Sequence, residues 1–90
     1  MKRINQITEK QARTIAIMLN VPFDHFHAWE DKIMIGFKSD GRTERSLYIQ
    51  QTGHISFFYN NGEPGGSGYK DINQLPIYDY LRLQGFGFEY

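Results

Sequence analysis

Histidine has the widest chemistry of the residue types present, because its ring can bind a metal or transfer a proton near neutral pH. His25 and His27 are two positions apart, which puts both rings on one face of a β-strand. With His54 they would supply three nitrogen ligands for a metal site. In the strand order predicted below, His54 lies two strands away, too far for bonds of about 2 Å to a shared ion. We therefore interpret the histidines as structural or surface residues, and a metal-binding protein or small enzyme that uses them ranks third among the functional hypotheses.

Two other catalytic patterns are incomplete. Ser46 or Ser56 could pair with His54 as nucleophile and base, but no third orienting group or oxyanion site accompanies them. The glycine-rich segment 60–68 lacks the Gly-Lys-Ser or Gly-Lys-Thr of a phosphate loop, because Tyr69-Lys70-Asp71 follows it. We interpret this segment as a surface loop that acts as a spacer. The chain is accordingly expected to be non-enzymatic, with no catalytic residue, metal or cofactor.

Composition narrows the class of protein further. The 90 residues are expected to form a single domain, 1–90, and they include seven Phe, six Tyr and one Trp but no Cys. The lack of Cys excludes a disulfide scaffold, a thiolate zinc site and a cysteine nucleophile. Ten basic and ten acidic residues cancel, whereas domains that bind nucleic acid through bulk charge usually have a basic excess. There is no long apolar run, so we expect neither a signal peptide nor a membrane span, and a cytoplasmic location.

Arg45–Asn60 is the stretch around which the fold is predicted to form. Apolar residues alternate with polar ones on both sides of Gln51-Thr52-Gly53, a three-residue turn with glycine where a left-handed conformation is needed. Such a turn places Gln50 opposite His54, so the apolar residues of both strands share one face. We expect four of them to be buried in the core: Leu47, Ile49, Ile55 and Phe57.

Phe23–Lys38 is predicted to be a second hairpin, with two alternative registers. In the first, a two-residue Glu30-Asp31 loop turns Phe26 and Ala28 inward and leaves the large residues of that strand outside, namely Phe23, His25, His27 and Trp29. In the second, an odd loop buries that outer set instead. Burial of two imidazoles is costly, which argues against the second register, although Glu-Asp is a poor tight turn. We favour the first register.

Helices are predicted at both ends of the chain. Thr8 and Gln11 form a capping box for a first helix, which ends at Asn20 before Pro22. A second helix is expected from about Leu75 to Gln84, ended by Gly85. The alternation of Phe86, Phe88 and Tyr90 predicts a fifth strand or a tail docked on the sheet. An odd-length loop, either Ser39–Gly41 or Ser39–Thr43, is expected to join the two hairpins, because a two-residue Asp40-Gly41 turn would not keep the parity.

These elements predict an α+β fold. Their order is α-β-β-β-β-α, a two-layer sandwich with a four-strand antiparallel meander, both helices on one face and a possible fifth C-terminal strand. The element order resembles that of double-stranded-RNA-binding domains, which place a lysine cluster at the start of their second helix. Residues 71–76 carry no positive charge at that place, so we do not assign the chain to that family.

The sheet face away from the helices carries the functional hypotheses. Its candidate partner-binding residues are Trp29, Lys32, Met34, Tyr48, Phe58 and His54. The main hypothesis is a small interaction domain that binds a protein partner or itself through this face or the C-terminal tail. The alternative is a single-stranded nucleic-acid binder that stacks bases on the aromatic residues, with Lys32 and Lys38 at the phosphates. Against both, residues 86–90 could cover this face and make it core.

Overall fold

The computed structural model describes residues 1–41, 43–71 and 75–89. A short 3-10 helix at Ile4–Gln6 precedes two α-helices and five strands: α1 (Glu9–Met18), β1 (Phe23–Ala28), β2 (Lys32–Asp40), β3 (Thr43–Gln50), β4 (Ile55–Asn60), β5 (Ser67–Asp71) and α2 (Leu75–Leu83). The strands form one antiparallel sheet in the order β1-β2-β3-β4-β5. The predicted α+β sandwich is confirmed. No helix among the described residues is long and apolar enough to cross a membrane.

The fifth strand is present, but it comes from a different segment. Ser67–Asp71 pairs with β4, with Tyr69 opposite Phe58, so part of the segment expected to be a spacer is strand. The described part of the C-terminal segment contributes an isolated bridge between Lys2 and Phe86. The glycine-rich sequence hides β5 because glycine weakens a strand pattern, whereas pairing covers the otherwise open edge of β4. Tyr90 and residues 72–74 lie outside the described residues.

Both helices begin or end at the predicted signals. The Thr8 hydroxyl accepts a bond from the Gln11 N–H at 3.2 Å, and the Gln11 side chain accepts one from the Thr8 N–H at 2.9 Å. Asn20 ends the α1 region in a left-handed conformation with φ 57°. After α2, Gly85 does the same with φ 91°. These local hydrogen bonds and turns leave one apolar side of each helix to pack on the sheet.

The central hairpin has the predicted register, with Leu47 opposite Phe57 and Ile49 opposite Ile55. Leu47, Ile49 and Ile55 are fully buried. Phe57, in contrast, is only half-buried, so its expected burial is wrong. The reason is the position of α1, which packs over β1 and β2 and leaves the β4 side of the core face less covered. There the Phe57 ring stacks on Phe37, with 6.0 Å between ring centroids.

The first hairpin has the favoured register, with one correction. Phe26 lies opposite Ile35, and the Trp29 N–H donates to the Lys32 carbonyl at 2.9 Å across the two-residue loop. Phe23 was expected on the outer face, but a register shift between Phe23 and His25 returns it to the core. The extra residue of a β-bulge shifts the alternation of the strand, so side chains before the bulge occupy the face opposite to the one that simple alternation predicts. The odd-length loop expected after β2 is wrong, because β2 ends at Asp40 and β3 begins at Thr43, which leaves two positions between them. A second register shift, between Phe37 and Asp40, restores the parity that the odd loop was expected to supply.

The described part of the C-terminal tail packs on the helical side of the sheet. Phe86 is 2% exposed and lies in the same core cluster as the buried residues of both helices. The Phe88 ring packs edge-on against Tyr78 of α2 at a centroid distance of 5.4 Å. Residues 86–89 therefore do not cover the opposite sheet face. For this part of the tail, the hypothesis that it buries that face as core is wrong.

An aromatic face with a polar cleft

The strand register arranges the outer face of the sheet as rows of neighbouring side chains. The row nearest the β3–β4 turn contains Trp29, Lys32, Gln50 and His54; the next contains His27, Met34, Tyr48 and Ser56; the third contains His25, Gly36, Ser46, Phe58 and Tyr69. All six candidate residues named from the sequence lie in these rows. Lys38 is near the far end of β2, away from the first row. The parity of antiparallel strands, applied across the three hairpin connections from β1 to β4, is what brings the six together.

Five rings on this surface form a continuous chain of contacts from β1 to β5, and we call them the aromatic face: His27, Trp29, Tyr48, Tyr69 and Phe58. Centroid distances along the chain are 4.4 Å for His27–Trp29, 6.5 Å for Trp29–Tyr48, 6.0 Å for Tyr48–Tyr69 and 5.0 Å for Tyr69–Phe58. All of these separations fall near or within the range of favourable ring pairs. The rings therefore hold one another in place across the width of the sheet.

The aromatic face is accessible to a partner. Tyr69 is 67% exposed and Trp29 39% exposed, while Tyr48, Phe58 and the neighbouring Met34 are half-buried. Side chains of this kind present rigid apolar area with little rotamer freedom left to lose on binding. A contiguous patch of them on a small domain is the usual mark of an interaction surface.

A polar cleft of about 310 Å³ opens beside the aromatic face and is lined by Lys32, Tyr48, Gln50, His54, Ser56 and Tyr69. Ser56 is 6% exposed and lies deep in it, whereas His54 is exposed. The Lys32 ammonium lies 5.1 Å from the centre of the Trp29 ring, within reach of a cation–π attraction. The cleft thus joins hydrogen-bonding groups to the wall of aromatic rings.

Tyr48 is the point at which the aromatic face and the cleft meet. Burial, and secondarily the neighbouring Tyr69 phenol, raises the pKa of Tyr48 above its usual value of 10.0. At neutral pH its hydroxyl is therefore protonated and able to donate a hydrogen bond. This gives the cleft a neutral donor in addition to the Lys32 ammonium.

The three histidines have separate surroundings. The His25 ring pairs with Asp24 at 2.7 Å and lies across Gly36, where an added Cβ would come within 2.4 Å of it. His27 packs on Trp29, and His54 immediately precedes β4. Within the described ranges, no group of three or more metal-ligating side chains is close enough to hold an ion.

Tyr69 is the first of three residues of this site that sequence reasoning missed. It was assigned to the region after a spacer loop, although Asn61-Gly62 following a strand is itself a hairpin signal. Gln50 and Ser56 were also left out, because the cleft exists only once β5 brings Tyr69 over β4. No protein-family model, curated protein or solved structure matches this chain. The case for a function therefore depends on the site itself.

Proposed function

We propose that the chain is a non-enzymatic interaction domain that binds a protein partner, or a second copy of itself, through the aromatic face. The observation that carries the proposal is the unbroken chain of five rings, joined by four contacts, on the sheet side opposite the helices. Residues 86–89, the nearest candidates to cover it, pack on the helical side instead.

The distribution of polar groups around the rings also supports an interface. The Lys32, Gln50 and His54 side chains border the rings at one end of the strands, and exposed Glu44 lies at the other end of β3. An apolar centre with a polar rim is the general plan of protein interfaces. Aromatic anchors in such a centre often contribute about 2 kcal/mol or more each on truncation.

The experiment is a selection of binding peptides from a random display library on the wild-type domain, with sedimentation velocity to measure self-association. Trp29→Ala, Tyr48→Ala and Phe58→Ala, each assayed at a temperature where the variant stays folded, are expected to weaken binding of the selected peptides, or self-association, at least tenfold. Matched controls remove exposed apolar side chains of the helical side, Ile17→Ala and Leu83→Ala, which are 77% and 83% exposed. If the controls weaken binding and the three face variants do not, the interface lies on the helices and the proposal is wrong.

Single-stranded nucleic acid is the second candidate, and one feature favours it. The Trp29 and Tyr48 rings are nearly parallel, with 21° between their planes, and Lys32 lies over Trp29. Bases stack on such rings while cations hold the phosphates. A short oligothymidine should then quench Trp29 fluorescence at low salt and release as salt rises, because bound phosphates release counterions. Net charge +0 supports the protein partner over this alternative.

A further inference from the structure

The polar cleft contains a row of three donors that are cross-strand neighbours, one in β2, one in β3 and one just before β4. Lys32 lies opposite Gln50 in the β2–β3 pair, and the Gln50 N–H donates to the His54 carbonyl at 2.9 Å. The three side chains therefore stand side by side at the same end of the sheet, and they supply an ammonium, an amide and an imidazole. Ser56 and Tyr48, neighbours in the next row, add two hydroxyl groups.

The walls of the cleft are aromatic. The Tyr48 and Tyr69 rings meet at a centroid distance of 6.0 Å with 59° between their planes. A volume of about 310 Å³ is at the small end of ligand sites, which suits one side chain of a partner rather than a drug-sized molecule. A group that fits here has a polar end against the donors and an apolar part against the rings.

The charge of the residues that line the cleft indicates which polar group of a ligand would bind there. None of the described side chains that line the cleft is acidic, and Lys32 is the one among them that is permanently charged. A carboxylate carries one negative charge and accepts bonds from ammonium, amide and hydroxyl donors. A phosphate monoester carries about −1.5 to −2 and would leave charge uncompensated.

We propose that the cleft is a subsite for a carboxylate that the protein partner presents beside an aromatic side chain. This inference rests on the proposed interaction function and names the chemistry of the partner. The carboxylate binds between Lys32 and Gln50, while the adjacent ring packs on Tyr48 and Tyr69.

The test uses N-acetyl-phenylalanine, its amide as the uncharged control, and phenyl phosphate. Binding is followed by amide chemical shifts and by Trp29 fluorescence. The acid is expected to bind at least fivefold more tightly than the amide, with the largest shifts at Lys32, Gln50 and Ser56. Lys32→Gln should reduce this preference below twofold and Lys32→Arg should retain it, whereas Lys38→Gln, at the other end of β2, should leave it unchanged.

Three results would overturn the inference. Equal affinity for acid and amide would mean that the cleft does not select a charge, while the aromatic face could still bind peptides in the display experiment. Tighter binding of phenyl phosphate than of the acid would assign the cleft to phosphate. The acid and the amide are tested up to 20 mM, which is roughly twenty times the Kd of about 1 mM expected of a weak fragment. An absence of chemical-shift changes in the cleft at that concentration would exclude a subsite altogether. Failure of the interaction function itself is read separately, from the Trp29, Tyr48 and Phe58 variants.

Discussion

At the scale of single residues, Tyr48 connects the candidate site to the stability of the sheet. Its ring contacts Trp29 on one side and Tyr69 on the other, and it is half-buried between strands β2 and β4. The pKa of its phenol is raised because burial disfavours the charged phenolate in the folded state. Ionisation of this one hydroxyl should therefore affect both folding and binding.

The first prediction follows from that pKa. The unfolded chain loses the Tyr48 proton near pH 10, whereas the folded protein, whose Tyr48 pKa is raised, retains it. The contribution of protonated Tyr48 to the free energy of unfolding is fully present below the Tyr48 pKa of the unfolded chain. It is lost as pH rises through the higher Tyr48 pKa of the folded protein. Urea unfolding from pH 8 to pH 11 should show a steeper alkaline loss of stability in the wild type than in Tyr48→Phe. Parallel curves for the two proteins would contradict the assignment.

The second prediction concerns two residues that face each other in the central hairpin. Leu47→Ala should cost about 2–5 kcal/mol, because Leu47 is fully buried and its loss leaves a cavity. Phe57→Ala should cost less, since the half-buried Phe57 is partly in solvent already. Denaturant midpoints of the two variants, compared at equal m-value, measure the difference. A larger loss for Phe57→Ala would show that the helical layer covers β4 more completely than the structure has it.

At the scale of elements, the turn between β4 and β5 decides whether the cleft exists. The Asn61 N–H donates to the Gly66 carbonyl at 2.8 Å, and the Gly66 N–H donates to the Glu63 carbonyl at 2.9 Å. The Asn61 side chain accepts a further bond from the Glu63 N–H at 3.0 Å. These bonds define a specific turn, and they position the strand that carries Tyr69.

The third prediction is that Gly66→Ala disturbs the site from a distance. An added Cβ at Gly66 would lie 1.7 Å from the Asn61 side-chain oxygen, so the Asn61 side chain must move and give up its bond from the Glu63 N–H. We expect lower stability, faster hydrogen exchange of the β5 amides, and a Tyr48 pKa closer to 10 as Tyr69 moves away. Gly65→Ala is the matched control, because Gly65 has φ 74° but no atom within 4 Å of the new Cβ. If Gly65→Ala disturbs the β5 amides as much as Gly66→Ala, backbone strain and not the Asn61 contact controls the turn.

At the scale of the whole molecule, the two chain ends are joined on the side of the sheet opposite the aromatic face. The buried Gln51 side chain accepts a bond from the Ile4 N–H at 2.7 Å and donates to the Gly87 carbonyl at 2.6 Å. The Gln51 carbonyl accepts a bond from the Glu89 N–H at 2.8 Å. One glutamine of the central turn thus holds the N-terminal and C-terminal segments near the helical layer.

The fourth prediction separates this structural centre from the binding face. Gln51→Ala leaves the buried Ile4 N–H without its acceptor and should cost roughly 1–3 kcal/mol. The affinity of selected peptides for the aromatic face should change less than twofold, measured at a temperature where the variant stays folded. Loss of peptide binding by a folded Gln51→Ala protein would indicate that the tail and the aromatic face are coupled.

Local rules in the sequence determined the helix ends at Thr8, Asn20 and Gly85 and the register of the Gln50–His54 hairpin, because short-range hydrogen bonds and strand parity specify them. They also placed the six candidate residues on one face. Only the tertiary structure decided the bulge that turns Phe23 inward, the partial exposure of Phe57, the pairing of β5 and the packing of the tail. In each of these cases distant segments compete for the same apolar surface or the same open strand edge. Local sequence patterns do not specify which segment packs there. The cleft belongs to the second group, since it needs Tyr69 from the strand that the glycine-rich sequence concealed.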